Sequence, residues 1–216
     1  MTHLKRQKVP KNWPVPRKGF KYVVRPLSNL NHGVPILIVL RDMLKICKNR
    51  KEVKRVVYGE NILINKKIIK EDRHPVMLYD SVTIIPEKKN YRLNLKENGK
   101  FKIEEISEKD SEKKFVKIIG KKILKGKKVQ LNLIDGRNFL TNVKCSIGDS
   151  CVINFKENKI EKCLALKEKA NILVFAGKHA GAKGIIENLD LEKKIAKVQN
   201  ESGVIYVLIK QLMVVE

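Results

Sequence analysis

Beyond position 90 the apolar residues of this chain come only in short runs broken by turn signals, and that texture excludes most folds. Positions 115–119, 129–133, 139–143 and 151–154 are strand-like, with Asp135-Gly136 and Gly148-Asp149 as turns. The last part repeats the texture at closer spacing, with strand candidates at 172–175, 184–187, 195–199, 204–208 and 212–215. Isolated strands leave backbone donors and acceptors unpaired, so short strands in close succession must pair with one another. Within 169–216 they suit a closed or partly closed SH3-like barrel. No helical period of convincing length interrupts this region, and the mixed-charge stretch 104–114 reads as a loop. There is no long internal repeat.

Charge decides what such a chain meets. Lysine and arginine total 47 against 23 acidic residues, a formal net charge of +24. Self-repulsion of that size destabilises a compact state, and a polyanionic partner relieves it. The partner could be nucleic acid, an anionic membrane or an acidic protein. A membrane is not expected: the longest uninterrupted apolar run, 35–40, falls far short of the ~18 residues a span needs, and neither a basic amphipathic helix nor a lipidation signal is present. The charged N-terminus has no apolar core behind it, so secretion is not expected either. Cysteines at 47, 145, 151 and 163 form no CxxC pair, and the histidines at 3, 32, 74 and 179 lie near none of them. Reduced cytosolic thiols, partly in the core, are the expectation, with no metal and no cofactor; the alternative is a metal site assembled from distant residues.

The first 34 residues form a basic arm. Lys5, Arg6, Lys8, Lys11, Arg17, Lys18, Lys21 and Arg25 face no acidic residue up to position 30, and Pro10, Pro14, Pro16 and Pro26 exclude a long helix. Such a segment buries no core alone and would order along a phosphate backbone. Trp13 is either a stacking or wedge residue for RNA or an anchor onto its own domain.

From Pro35 the pattern changes. Ile36, Leu40, Met43 and Cys47 follow the 4-3-4 spacing of one helix face, opened by proline. Asn49 and Glu52 make a capping-box-like pair ahead of a second helix with Val53, Val56 and Val57 as its stripe and Gly59 as its left-handed exit. Two β-branched runs, 62–64 and 67–69, joined at Asn65-Lys66, read as a hairpin, and Asp80-Ser81 precedes a strand at 82–85. Arg41, Lys45 and Lys48 fall in one row on the first helix. Lys51, Lys54 and Arg55 sit opposite the valine stripe of the second, with Arg50 between. These seven cations make a phosphate-binding face, its arginines able to bind bidentately. Farther on, "GKHAGAKGII" at 177–186 carries three glycines with Lys178, His179 and Lys183. It lacks the Gly-Lys-Ser/Thr of a nucleotide phosphate loop. It reads as a loop whose backbone can approach RNA closely.

These motifs carry a family resemblance. "VPILIVLRDMLK", "KNRKEVKRVV", "INKK" and "YDSV" together resemble the alpha-L RNA-binding domain, a helix-helix-hairpin module. Lys66 departs from it, standing where a glycine is common, and lysine tolerates a left-handed turn less well. "GKHAGAKGII" followed by four strand runs resembles a KOW motif, the RNA- or protein-contacting loop of SH3-like barrels. The full order, with "HLKR", "PKNW", "RPLSNLNHGVPILIVLRDMLK", "FVKIIGKKILKGKKVQLNLIDGRNF" and "GDSCVIN", resembles the archaeal and eukaryotic small-subunit ribosomal protein family S4e across essentially the whole chain. The short stretch after the KOW region favours an archaeal-type version.

The resemblance implies an α+β, multidomain protein: the basic arm (1–34), an alpha-L module (35–90), a β-rich, barrel-like centre (91–168) and a KOW SH3-like barrel (169–216). It implies a structural protein of the ribosome, cytoplasmic and monomeric there, contacting small-subunit ribosomal RNA and neighbouring small-subunit proteins. Two rivals use the same parts. Alpha-L modules also target RNA-modifying enzymes such as pseudouridine synthases, whose GRxD-like motif supplies a catalytic aspartate; here 135–139 reads "DGRNF", with Phe139 and no aspartate at that place. KOW barrels also occur in transcription elongation or termination factors, against which the arm and alpha-L module argue. The expected RNA contacts are Lys5, Arg6, Lys8, Lys11, Trp13, Arg17, Lys18, Arg41, Lys45, Lys48, Arg50, Lys51, Lys54, Arg55, Lys178, His179 and Lys183, with no catalytic residue.

Overall fold

The computed structural model describes residues 4–215 except 29, 32, 142 and 202, together with the backbone but not the side chain of Lys127. His3 and His32 thus lie outside the described residues. The chain divides into two compact units, Met1–Asn94 with Lys100–Glu112, and Leu95–Gly99 with Lys113–Glu216.

In the first unit the basic arm closes on itself. Strand β1 (Leu4–Lys5) pairs antiparallel with β2 (Tyr22–Val23), and Arg6 N donates to Lys21 O. Leu4 and Trp13 are buried, which gives the arm apolar anchors that its charge and prolines conceal. Strand β3 (Gly33–Pro35) pairs with β6 (Pro75–Met77) and leads into α1 (Ile36–Ile38), which continues as a π-helical turn, Val39–Met43. The expected one-faced helix is therefore short and changes pitch. Ile36 to Leu40 are all fully buried, because five successive apolar residues cover every side of the turn.

Helix α2 (Arg50–Tyr58) keeps its expected cap. Asn49 Oδ1 accepts from Glu52 N at 3.0 Å, and the Glu52 carboxylate reaches back to Lys48 N at 2.7 Å. Val53 and Val57 face the core. The left-handed exit falls on Glu60 (φ 58), not on Gly59 as expected, since the chain turns one residue later.

The hairpin of β4 (Ile62–Ile64) and β5 (Lys67–Ile68) turns at Asn65 and Lys66, with φ of 52° and 62°, the positive pair a type I′ turn requires. Lysine at the second place is accommodated because Asn65 anchors the turn. Its Nδ2 donates to Asp80 Oδ1 at 2.7 Å and its Oδ1 accepts from Ser81 N at 3.1 Å. Strands β7 (Ser81–Ile84), β8 (Lys89–Leu95) and β9 (Phe101–Ile106) complete a sheet ordered β5-β4-β7-β8-β9.

The stretch 104–114 is not a loop. It holds the end of β9, a short helix α3 (Glu108–Ser111) capped by Ser107, and the start of β10 (Lys113–Ile123). Most of its charges are outward residues of ordered elements, while Lys114 is buried. Strand β8 also runs across the expected boundary at 90/91.

The second unit contains two five-stranded antiparallel sheets. With β11 (Val129–Leu133), β12 (Asn138–Thr141), β13 (Ser150–Asn154) and β14 (Lys159–Leu164), the first is ordered β12-β11-β10-β13-β14. The long β10 serves both halves, pairing with β13 over its first five residues and with β11 beyond them. Val116, Ile118, Leu131, Leu133 and Ile153 form its core. The second sheet comprises β15 (Asn171–Val174), β16 (Lys183–Asp190), β17 (Ile195–Asn200), β18 (Gly203–Leu208) and β19 (Leu212–Val214), ordered β18-β17-β16-β15-β19. All five strand candidates of 169–216 are present. The sheets are joined where Lys117 Nζ donates to Leu212 O at 2.7 Å and to Ile209 O, and where Val214 N donates to Ser150 Oγ at 2.9 Å.

Candidate nucleic-acid interface

The arm and the first helix enclose a groove of about 510 Å³ in the first unit, lined by Arg6, Lys18, Arg41, Lys45 and Lys48 with Asp42 as its carboxylate. Five cations against one anion make it strongly electropositive. Two local features place them. Arg6 acts as a clamp beneath the loop, its Nε donating to Phe20 O at 2.6 Å and its Nη1 to Pro16 O at 2.7 Å. Lys45 ends the π-helical turn in a left-handed conformation (φ 57) while Ile46 N and Cys47 N both donate to Leu40 O. That reversal carries Lys45 and Lys48 back beside Arg41, a convergence that a regular helix is not needed to produce.

Within the groove the guanidinium of Arg41 is held by Asp42 in a two-pronged pair, Nε–Oδ1 3.0 Å and Nη2–Oδ2 2.8 Å. That hydrogen bond raises its pKa above the ordinary value, partly offset by burial. Arg41 therefore presents a neutralised edge, and the uncompensated charge of the groove rests on Arg6, which bonds only neutral carbonyls, and on the three lysines.

The other expected contacts are spread more widely. Lys5, Lys8, Lys11 and Arg17 are exposed on the arm but do not line the groove. Arg50 is engaged with the buried Asp72, Nε–Oδ2 2.6 Å, so it fastens α2 to the 72–74 turn. Lys51 and Arg55 are exposed on α2 and Lys54 is half-buried. Trp13 is corrected. At 2% exposure its ring is a core element and has no free face to stack on a base.

The exposed aromatic that lines the groove is Phe20, 88% exposed. Sequence reasoning passed over it. Its signal was a lone phenylalanine after Gly19 in an otherwise basic, proline-punctuated segment.

In the second unit, Lys178 and Lys183 are exposed and His179 is half-buried around the loop between β15 and β16. The glycines of that loop have reasons inside the chain. A Cβ on Gly181 (φ +95) would collide with the carbonyl of Lys96. The expected close approach of backbone is thus made within the chain, by residues 96–97.

Asp135 of "DGRNF" is committed to structure. Its Oδ2 lies 3.1 Å from Lys114 Nζ, both side chains nearly fully buried, and its Oδ1 accepts from Arg137 N at 3.1 Å in the turn between β11 and β12. Three cysteines distant in sequence, 145, 151 and 163, gather beside β13 and β14, where Cys151 stands opposite Cys163. Burial pushes the Cys151 thiol up to about 12 and raises that of Cys163 further, so both stay protonated. Among the described residues, no group of three or more His, Cys, Asp or Glu is set to hold a metal ion, and no helix is long and apolar enough to cross a membrane.

Comparison with known proteins gives a consistent answer. Residues 87–160 match the family described as Ribosomal family S4e, and residues 2–28 match the RS4NT domain. The protein named small ribosomal subunit protein eS4 of Methanocella arvoryzae is 32% identical over 198 residues, covering 90% of this chain and 84% of its own. That of Methanococcus maripaludis is 34% identical over 216 residues, covering 93% and 88%. In fold, the crystal structure of 30S ribosomal protein S4e from Thermoplasma acidophilum superposes with a TM-score of 0.73 at 22% identity, over 86% of this chain and 95% of that one. With archaeal relatives of this identity matched along nearly their whole length, the chain belongs to the S4e family of small-subunit ribosomal proteins.

Proposed function

We propose that this chain is a structural constituent of the small ribosomal subunit, working in the cytoplasm as a single copy per ribosome, and that it positions ribosomal RNA without catalysing a reaction. The observation that carries this reading is the convergence of Arg6, Lys18, Arg41, Lys45 and Lys48 from two separate chain segments onto one groove. A fold gains nothing by drawing like charges together unless a polyanion repays the repulsion. In this reading 35–90 acts as an alpha-L module, with 1–34 as its basic flank and 91–168 as a spacer. The 169–216 sheet acts as a KOW barrel, offering Lys178, His179 and Lys183 to RNA or to a neighbouring small-subunit protein. Lys8, Lys11, Arg17, Lys51, Lys54 and Arg55 extend the phosphate contacts around the first unit. The structural employment of Asp135 supports the non-enzymatic reading, since that aspartate is spent on a buried ion pair and a turn.

Phosphate contacts of this kind set affinity through released counterions. Replacing Lys18, Lys45 and Lys48 together by alanine is expected to lower the slope of log K against log salt by about 2 to 3 for a small-subunit RNA fragment, at ~0.7–0.9 per contact. An unchanged slope would put the RNA surface elsewhere.

A further inference from the structure

Lysines and arginines alone would suffice to hold a duplex by its phosphates, yet the groove carries a bare aromatic ring. Phe20 is 88% exposed, an apolar ring that the fold leaves in water although its burial would be favourable. Nor is its position loose. The clamp from Arg6 grips the carbonyl of Phe20 itself at 2.6 Å and that of Pro16 at 2.7 Å. Gly19 (φ +133) passes so near the Arg6 guanidinium that a Cβ there would lie 3.3 Å from Cζ. The loop is thus held by side chain–backbone bonds in a shape that leaves one ring facing outward beside three lysines.

We propose that the groove receives an unpaired nucleotide, its base stacked on Phe20 and its phosphate held among Lys18, Lys45 and Lys48. This rests on the RNA-binding reading above and narrows it to a bulged, looped or terminal nucleotide. Duplex RNA shows side chains its phosphates and 2′-hydroxyls, with the base faces already stacked on one another, so a ring has nothing to stack on. A splayed nucleotide offers a free π-face next to a phosphate, and that pairing of an aromatic with cations is what single-strand recognition uses. The groove's ~510 Å³ falls in the range typical of small-ligand sites.

The test uses the full chain and two labelled probes, a hexa-adenylate single strand and a blunt twelve-base-pair RNA duplex, with affinities read by fluorescence anisotropy. Phe20→Ala removes only an exposed ring, so the fold is spared. It is expected to weaken hexa-adenylate binding about ten-fold, in line with the stacking of one base, while duplex binding changes less than two-fold. Phe20→Trp is expected to restore the single-strand affinity. Loss of neither, or equal loss of both, overturns the proposal and leaves RNA binding standing. If the unmodified chain binds neither probe, the RNA-binding reading falls along with it.

Discussion

Lys117 shows how one residue can tie two sheets together and set a pH response. Its ammonium is buried, donates to the carbonyls of Leu212 and Ile209, and lies 6.0 Å from the centre of the Phe175 ring. Burial pushes its pKa down from 10.5 to about 8. Between those values the unfolded chain binds more protons at this site than the folded one, so the site's contribution to stability rises with pH across that window. Below about pH 8 both states are protonated and the cost of the buried charge is constant. Urea unfolding of the chain and of Lys117→Met, compared at pH 7.5 and pH 10, should show the unmodified protein gaining relative to the variant at the higher pH. A constant difference would mean the ammonium is not desolvated. Also at this scale, Trp13 and Phe20 explain a limit of sequence reading. Both are aromatics in one basic segment, yet Trp13 is buried and Phe20 exposed, on a 16–20 loop that Arg6 holds. That contact spans ten and fourteen residues and leaves no local period.

Among the elements, those governed by local rules were legible. The Asn49–Glu52 cap, the Asn65-Lys66 turn and the five strands of 169–216 all follow from residues a few places apart. Two elements were not. The run around 104–114 was masked by its charge, although Ser107 and Asp110 already form a helix-capping pair three residues apart. The pitch change at Val39–Met43 was hidden because an all-apolar run shows no face, and with it the reversal at Lys45 that gathers the groove's cations. A lysine at φ 57 is conformationally costly, and such strain is held where the surrounding structure over-determines it. Lys45→Gly should therefore raise thermal stability, by up to about 1 kcal/mol, while lowering affinity for a small-subunit RNA fragment. If stability falls as well, the lysine side chain contributes to packing and the left-handed turn is not strained.

For the whole molecule, net charge announced a polyanion and motif order announced the family, but neither located the binding surface. Seven cations assigned to the helix pair divide in the structure. Arg41, Lys45 and Lys48 join the arm at the groove, Arg50 holds Asp72, and Lys51, Lys54 and Arg55 stay on α2. The three glycines assigned to RNA at 177–184 serve turns and close approaches inside the second unit. The division arises because charge is read along the chain whereas a surface is assembled across it. The central claim, a structural place in the small ribosomal subunit, is tested most directly by sedimentation of a cell extract containing the tagged chain through a sucrose gradient at moderate salt. The chain is expected to travel with the small-subunit peak and to leave it progressively as salt rises. Recovery at the top of the gradient at moderate salt, with intact subunits below, would contradict it.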